Sequence, residues 1–114
     1  MITEKTCVER IEEHLTARMG YFTNALEGKY EDGEEYEDFN DWLNCYSLAY
    51  ADDPHYRAKK LELSWGGPAD FFLFFEDETI EYHFQDWGDS AKRELYGDDL
   101  ETMLEVYNTY LNYE

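Results

Sequence analysis

The chain has 114 residues, of which 28 are Asp or Glu and nine are Lys or Arg, for a formal net charge of −19. Like-charge repulsion excludes free nucleic acid and anionic lipid as partners, and it also opposes compaction of the chain itself. Disorder is excluded by the rest of the composition, because 18% of the residues are aromatic and only two are proline, enough apolar material for one core.

A single globular domain over residues 1–114 is expected. The opening MITEKTCVERIEEHL carries charges where a secretion signal needs an apolar stretch, and no run approaches the roughly 18 apolar residues of a membrane span. Cys7 and Cys45 have no CxxC or metal-type spacing and sit among apolar residues. They read as reduced core thiols, which fits a cytosolic setting.

Val8, Ile11, Leu15, Phe22 and Leu26 step by three and four, which predicts an amphipathic helix over about residues 3–27. Thr3 or Thr6 would cap it and Gly28 would end it in a left-handed conformation, with Gly20 as a weak point where it could break. Tyr36, Phe39, Leu43, Tyr46 and Tyr50 repeat the same steps, predicting a second helix over about 34–51. The opposite face of that helix would carry Glu31, Glu34 or Glu35, Asp38 and Asp41, spaced by roughly 5 to 6 Å along one stripe.

From Tyr56 to Gln85 the period falls to two, and three strands are predicted over about 57–65, 70–76 and 79–85. Phe71 to Phe75 do not alternate, as expected of a central strand covered on both faces, whereas Glu81, His83 and Gln85 would share a wet face opposite Ile80, Tyr82 and Phe84. A short helix is predicted over 91–95 and a last one after Gly97, with Leu100, Met103, Leu104, Tyr107 and Leu111 inward and Asp98 or Asp99 as cap. The fold class is therefore α+β: a small three-stranded antiparallel meander packed with about four helices in the order ααβββαα.

Catalytic signatures are poor. His14, His55 and His83 lie on different elements and read as ordinary surface histidines, and among 28 carboxylates some pair always occurs by chance. Gly66-Gly67-Pro68 lacks the phosphate-cradling pattern, and the acidic runs lack EF-hand spacing. No enzyme activity, cofactor or metal site is expected.

The acid itself is the signal. No Lys or Arg occurs between Lys29 and Arg57, or between Lys60 and Lys92, whereas solubility alone needs a net charge of only about 2 to 8 with mixed signs. Carboxylates at near-phosphate separation could occupy a groove that Lys and Arg line for DNA or RNA. The residues expected to face such a partner are Glu31, Asp32, Glu34, Glu35, Asp38, Asp41, Glu76, Asp77, Glu78, Glu81, Asp86 and Asp89. Tyr30 and Trp42, beside the acidic runs, would anchor the contact as aromatic residues do at interfaces.

In size, acidity and aromatic content the whole chain resembles the DNA-mimic inhibitors of phages and mobile elements, of the anti-restriction and anti-CRISPR type. Leu63-Ser64-Trp65-Gly66-Gly67-Pro68-Ala69-Asp70 through Asp86-Trp87-Gly88-Asp89 also looks like stretches of small phage and plasmid proteins. Such inhibitors share charge and size rather than a motif, so no site transfers residue by residue. The resemblance implies an anti-defence protein whose partner is a basic nucleic-acid-binding protein, foremost a CRISPR-Cas effector subunit. An immunity protein against a basic nuclease toxin would use the same electrostatics, and a small hydrolase is a third reading.

Overall fold

Thr6 starts the first helix, and the structure, a computed structural model, describes residues 6–30, 36–65, 68–86 and 88–111. The Thr6 side chain accepts from the Glu9 amide while the Glu9 carboxylate accepts from the Thr6 amide, a reciprocal cap on α1 (Cys7–Leu26). Cys7, Ile11, Leu15, Met19, Phe22 and Ala25 form its buried stripe. The helix runs unbroken through Gly20, and Gly28, at φ 81°, ends it in the left-handed region.

The second helix is much shorter than its periodicity predicts. α2 spans Phe39–Tyr46, and by Leu48 the chain is already hydrogen-bonding to Glu62. β1 (Ala49–Asp53) then pairs with β2 (Ala58–Ser64), β2 with β3 (Ala69–Phe74), β3 with β4 (Ile80–Asp86) and β4 with β5 (Asp89–Glu94), all antiparallel and in sequence order. The three-stranded meander with four helices is thereby corrected to five strands and three helices among the described residues. Both additional strands are edges, and their sequences, AYADD and DSAKRE, carry little β propensity of their own. Pairing supplies what propensity does not: Asp86 meets Asp89 across a tight connection where Gly88 takes φ 76°, and this aligns β5 on β4 where a helix over 91–95 was expected.

α3 (Gly97–Val106) follows and widens into a π-helical turn over Tyr107–Leu111. Its N-cap is Tyr96, without a side-chain hydrogen bond, and not Asp98 or Asp99, which instead occupy the first turn where the helix dipole favours anions.

The core lies between the helices and one face of the sheet. Leu61, Phe72 and Tyr82 pair in one row across β2, β3 and β4, and all three are fully buried together with Phe22, Ile11 and Met103. The opposite face is not the wet one that alternation in β4 predicts. Phe71, Leu73 and His83 on that face are buried as well. Tyr56, from the β1–β2 turn, packs its ring 6.0 Å from Phe71 and 5.4 Å from His83, and Lys60 lies 4.5 Å over the Phe71 ring while pairing with Asp53 and Glu62. A hairpin tip and the stem of a charged side chain thus shield what no helix covers.

That cover makes His83 a titrating element of stability. Burial of the ring, reinforced by Lys92 and Lys60, outweighs the Glu81 hydrogen bond and charge and holds His83 below the ordinary imidazole value. The folded state therefore keeps a neutral ring that the unfolded chain protonates near pH ~6.5, so this contribution is present above that pH and is lost as pH falls below it. We expect His83→Gln to shrink the drop in Tm between about pH 7.5 and about pH 5.5. An unchanged drop would remove His83 from the pH response.

Candidate functional site

Those of the singled-out acidic residues that the structure describes do not form one face. Glu31, Asp32, Glu34 and Glu35 lie outside the described residues. Asp38 precedes α2 as its N-cap, its carboxylate accepting from the Asp41 amide at 2.9 Å, and the Asp41 carboxylate accepts from the Glu37 amide at 3.2 Å. Of the two described members of the expected helical stripe, Asp38 caps the helix and Asp41 stands in its first turn, so at these two positions the carboxylates form a capping arrangement. Trp42, expected as an exposed anchor, is 5% exposed and stacks on Tyr46 within the core. Tyr30 is half-buried against Tyr36.

Three more of the acids serve the fold. Asp86 pairs with Arg10 at 2.6 Å. Asp89 accepts the Cys7 amide at 2.8 Å, and that hydrogen bond, ahead of the one from the Ser90 amide, holds its carboxyl below the usual range. Glu81 meets His83 at 2.9 Å and Lys92 at 3.9 Å. The Cys7 thiol, buried and facing Asp89, is pushed up and stays protonated, whereas Cys45 is exposed and is not the core thiol that its neighbours suggested.

What the sheet does bring together is the acid of two turns at one end. Because β1 pairs with β2 and β2 with β3, the β1–β2 tip beside Asp52 and Asp53 and the β3–β4 turn with Glu76, Asp77 and Glu78 lie at the same end, about 20 Å along β4 from Asp86. The turns are built by their own acids. Asp53 accepts amides from His55 and Tyr56, and Asp77 accepts the Thr79 amide. Each tip holds a charged residue in the left-handed region, Arg57 at φ 56° and Glu78 at φ 71°, where glycine would be unstrained.

Between these tips and the end of α3 lie two adjoining hollows of about 350 and 390 Å³ that share Lys59, Phe74, Glu76 and Tyr107. The Tyr107 ring stacks on Phe74 with centroids 4.9 Å apart and planes 11° from parallel. Asp52 and Asp53 line one hollow and Glu78 the other. Sequence reasoning placed Tyr107 in the apolar set of the last helix and gave no sign that it borders a recess. That becomes visible only once the helix loosens into its π-helical turn beside Phe74.

A third hollow, of about 370 Å³, lies between the end of α1 and α2 and is lined by Tyr21, Trp42, Tyr46, Tyr36, Lys29 and Cys45. Among the described residues, Trp65 and Tyr96 are the most exposed large aromatics, at 62% and 83%. The Trp65 indole N–H donates to Glu62.

Most of the described cations are committed internally. Arg10, Arg18, Lys29, Lys59, Lys60, Lys92 and Arg93 each lie within 4 Å of a carboxylate, on Asp86, Asp70, Glu27, Asp52, Asp53 with Glu62, Glu81 and Glu12 respectively. Exposed carboxylates such as Glu76, Asp77, Glu78, Glu101 and Glu105 therefore set the sign of the field outside the molecule. Among the described residues, no group of three or more His, Cys, Asp or Glu is gathered as a metal-ligand set, and no helix is long and apolar enough to cross a membrane. Comparison with protein-family models, curated proteins and solved structures gave no match.

Proposed function

We propose that the protein is a non-enzymatic anti-defence inhibitor whose carboxylate surface takes the place of nucleic acid in the Lys- and Arg-lined channel of a bacterial defence protein, foremost a CRISPR-Cas effector. The observation that carries this reading is the net charge of −19 on a chain whose basic side chains are largely tied into ion pairs of the fold. A partner approaching from any distance meets one sign. Steering of this kind accelerates encounter and is screened over about 8 Å at physiological salt.

The reading differs from the sequence expectation in where the carboxylates stand. Among the described residues they are presented by hairpin tips and helix ends, so the likeness to a phosphate chain lies there in sign and density more than in a regular repeat.

Binding to a panel of purified Cas effectors and basic nucleases tests this. We expect one of them to bind with an affinity that falls steeply with salt, and the triple variant Glu76→Lys, Asp77→Lys, Glu78→Lys to bind about tenfold or more weakly, since like-charge juxtaposition costs several kcal/mol. Capture of a nuclease toxin and no effector would favour an immunity protein. Salt-independent binding, or full affinity in the triple variant, would contradict the electrostatic account.

A further inference from the structure

We propose that the paired hollows between the two hairpin tips and the end of α3 form an arginine-binding recess, which receives a guanidinium group from the basic partner. This inference rests on the reading that the partner is basic, and it assigns the contact to one place and one side chain.

The recess has an aromatic floor and an acidic rim. Its floor is the Phe74–Tyr107 stack, with Tyr107 bordering both hollows. Its rim carries four carboxylates, Asp52, Asp53, Glu76 and Glu78, against two cations, Arg57 and Lys59. Lys59 borders both hollows and is bonded to Asp52 at 3.0 Å, so the rim, with four carboxylates against two cations, stays net negative. By contrast, the described lining of the aromatic hollow beside α2 carries a lysine, and the hollow at the start of α3, though acidic, has a single tyrosine and no ring stack among its described residues.

An aromatic floor beneath carboxylates selects arginine over lysine. A planar guanidinium can lie flat on a ring while its edge donates two parallel hydrogen bonds to a carboxylate, whereas an ammonium is a strongly hydrated point charge that gains little from the ring. A groove lined for nucleic acid offers both residues in quantity, so the recess would fix the register of an otherwise diffuse electrostatic contact.

An oligoarginine peptide and an oligolysine peptide of equal length, titrated calorimetrically into the full chain, provide the test. We expect oligoarginine to bind about fivefold or more tightly than oligolysine, and Tyr107→Leu to remove that preference while leaving oligolysine affinity unchanged. Glu76→Gln, on an exposed turn, should reduce the preference in a fold that circular dichroism shows to be intact, and it replaces Tyr107→Leu should that variant unfold. Equal affinity for the two peptides, or a preference that survives both substitutions, would overturn the recess while leaving a charge-driven inhibitor standing. Binding of neither peptide at low salt would overturn both.

Discussion

Replacing Asp70 by Ala is expected to cost about 3 to 5 kcal/mol of folding stability in chemical denaturation, the loss typical of a buried charge pair broken on one side. Asp70 is 2% exposed, and its carboxylate is the acceptor at the centre of a network that ties α1, α2 and three strands together. Arg18 donates to both oxygens, at 2.7 and 2.9 Å, and the Ser64 and Tyr82 hydroxyls donate one each. Arg18 also donates to the Tyr46 hydroxyl at 2.6 Å and lies over that ring. Burial, followed by the adjacent Asp70 charge, pushes the Tyr82 phenol far above its usual range, so it remains a donor with one acceptor to serve. Removing the carboxylate therefore strands a guanidinium and two hydroxyls at once.

The cost comes from stranding and less from the attraction itself. Arg18→Met combined with Asp70→Leu and Tyr82→Phe should accordingly be less destabilising than Asp70→Ala alone, because no charge is left buried without its partner and only the Ser64 and Tyr46 hydroxyls lose a hydrogen bond. A loss below about 1 kcal/mol for Asp70→Ala would show that solvent reaches the network.

The second large effect is expected at Phe22. This ring is fully buried and meets Phe39, Trp42, Tyr46 and Phe72 at centroid distances of 6.4, 5.3, 5.7 and 5.8 Å. It is the point where α1, α2 and the sheet meet, and three of the four contacts are edge-to-face, the geometry that aromatic quadrupoles favour. Phe22→Ala should cost about 3 to 5 kcal/mol, the sum of lost transfer energy and a cavity that four rigid rings cannot close. Phe22→Leu should recover much of that loss by retaining volume, and denaturant midpoints of the two variants give the comparison. Against the self-repulsion of a strongly acidic chain, with total stability for a domain of this kind in the range of about 5 to 15 kcal/mol, either Ala variant could leave the protein largely unfolded at low salt.

What could be read in the sequence follows from which elements carry their own signal. α1 was legible in its buried stripe and in its ends, because Thr6, one of two cap candidates, and Gly28 act through local backbone chemistry, whereas the reciprocal bond from Glu9 went unread. β2, β3 and β4 were legible because their apolar residues alternate or run together. The edges were not. Tyr50 keeps the three-and-four step of α2, yet it stands opposite Leu61 in β1, so a helical period ran into a strand by coincidence of spacing. DSAKRE has no strand signal at all, and only β4, already half-committed to β3, makes it one.

The same limit applies to function. Sequence showed the excess of acid but not its geometry, because whether a carboxylate caps a helix, as Asp38 and Asp89 do, or faces outward, as Glu76 and Glu78 do, is decided by tertiary placement. Nor could it separate Trp42, which fills the core, from Trp65, which does not.

The central claim is that this surface and nucleic acid occupy the same place on a basic partner. Competition measures this directly: the partner is loaded with fluorescent DNA or guide RNA, the protein is titrated in, and anisotropy is followed alongside the mass of the complex. The account predicts mutually exclusive binding, with label released in step with complex formation and recovered when salt is raised. A stable ternary complex, holding both the protein and the labelled strand, would contradict it.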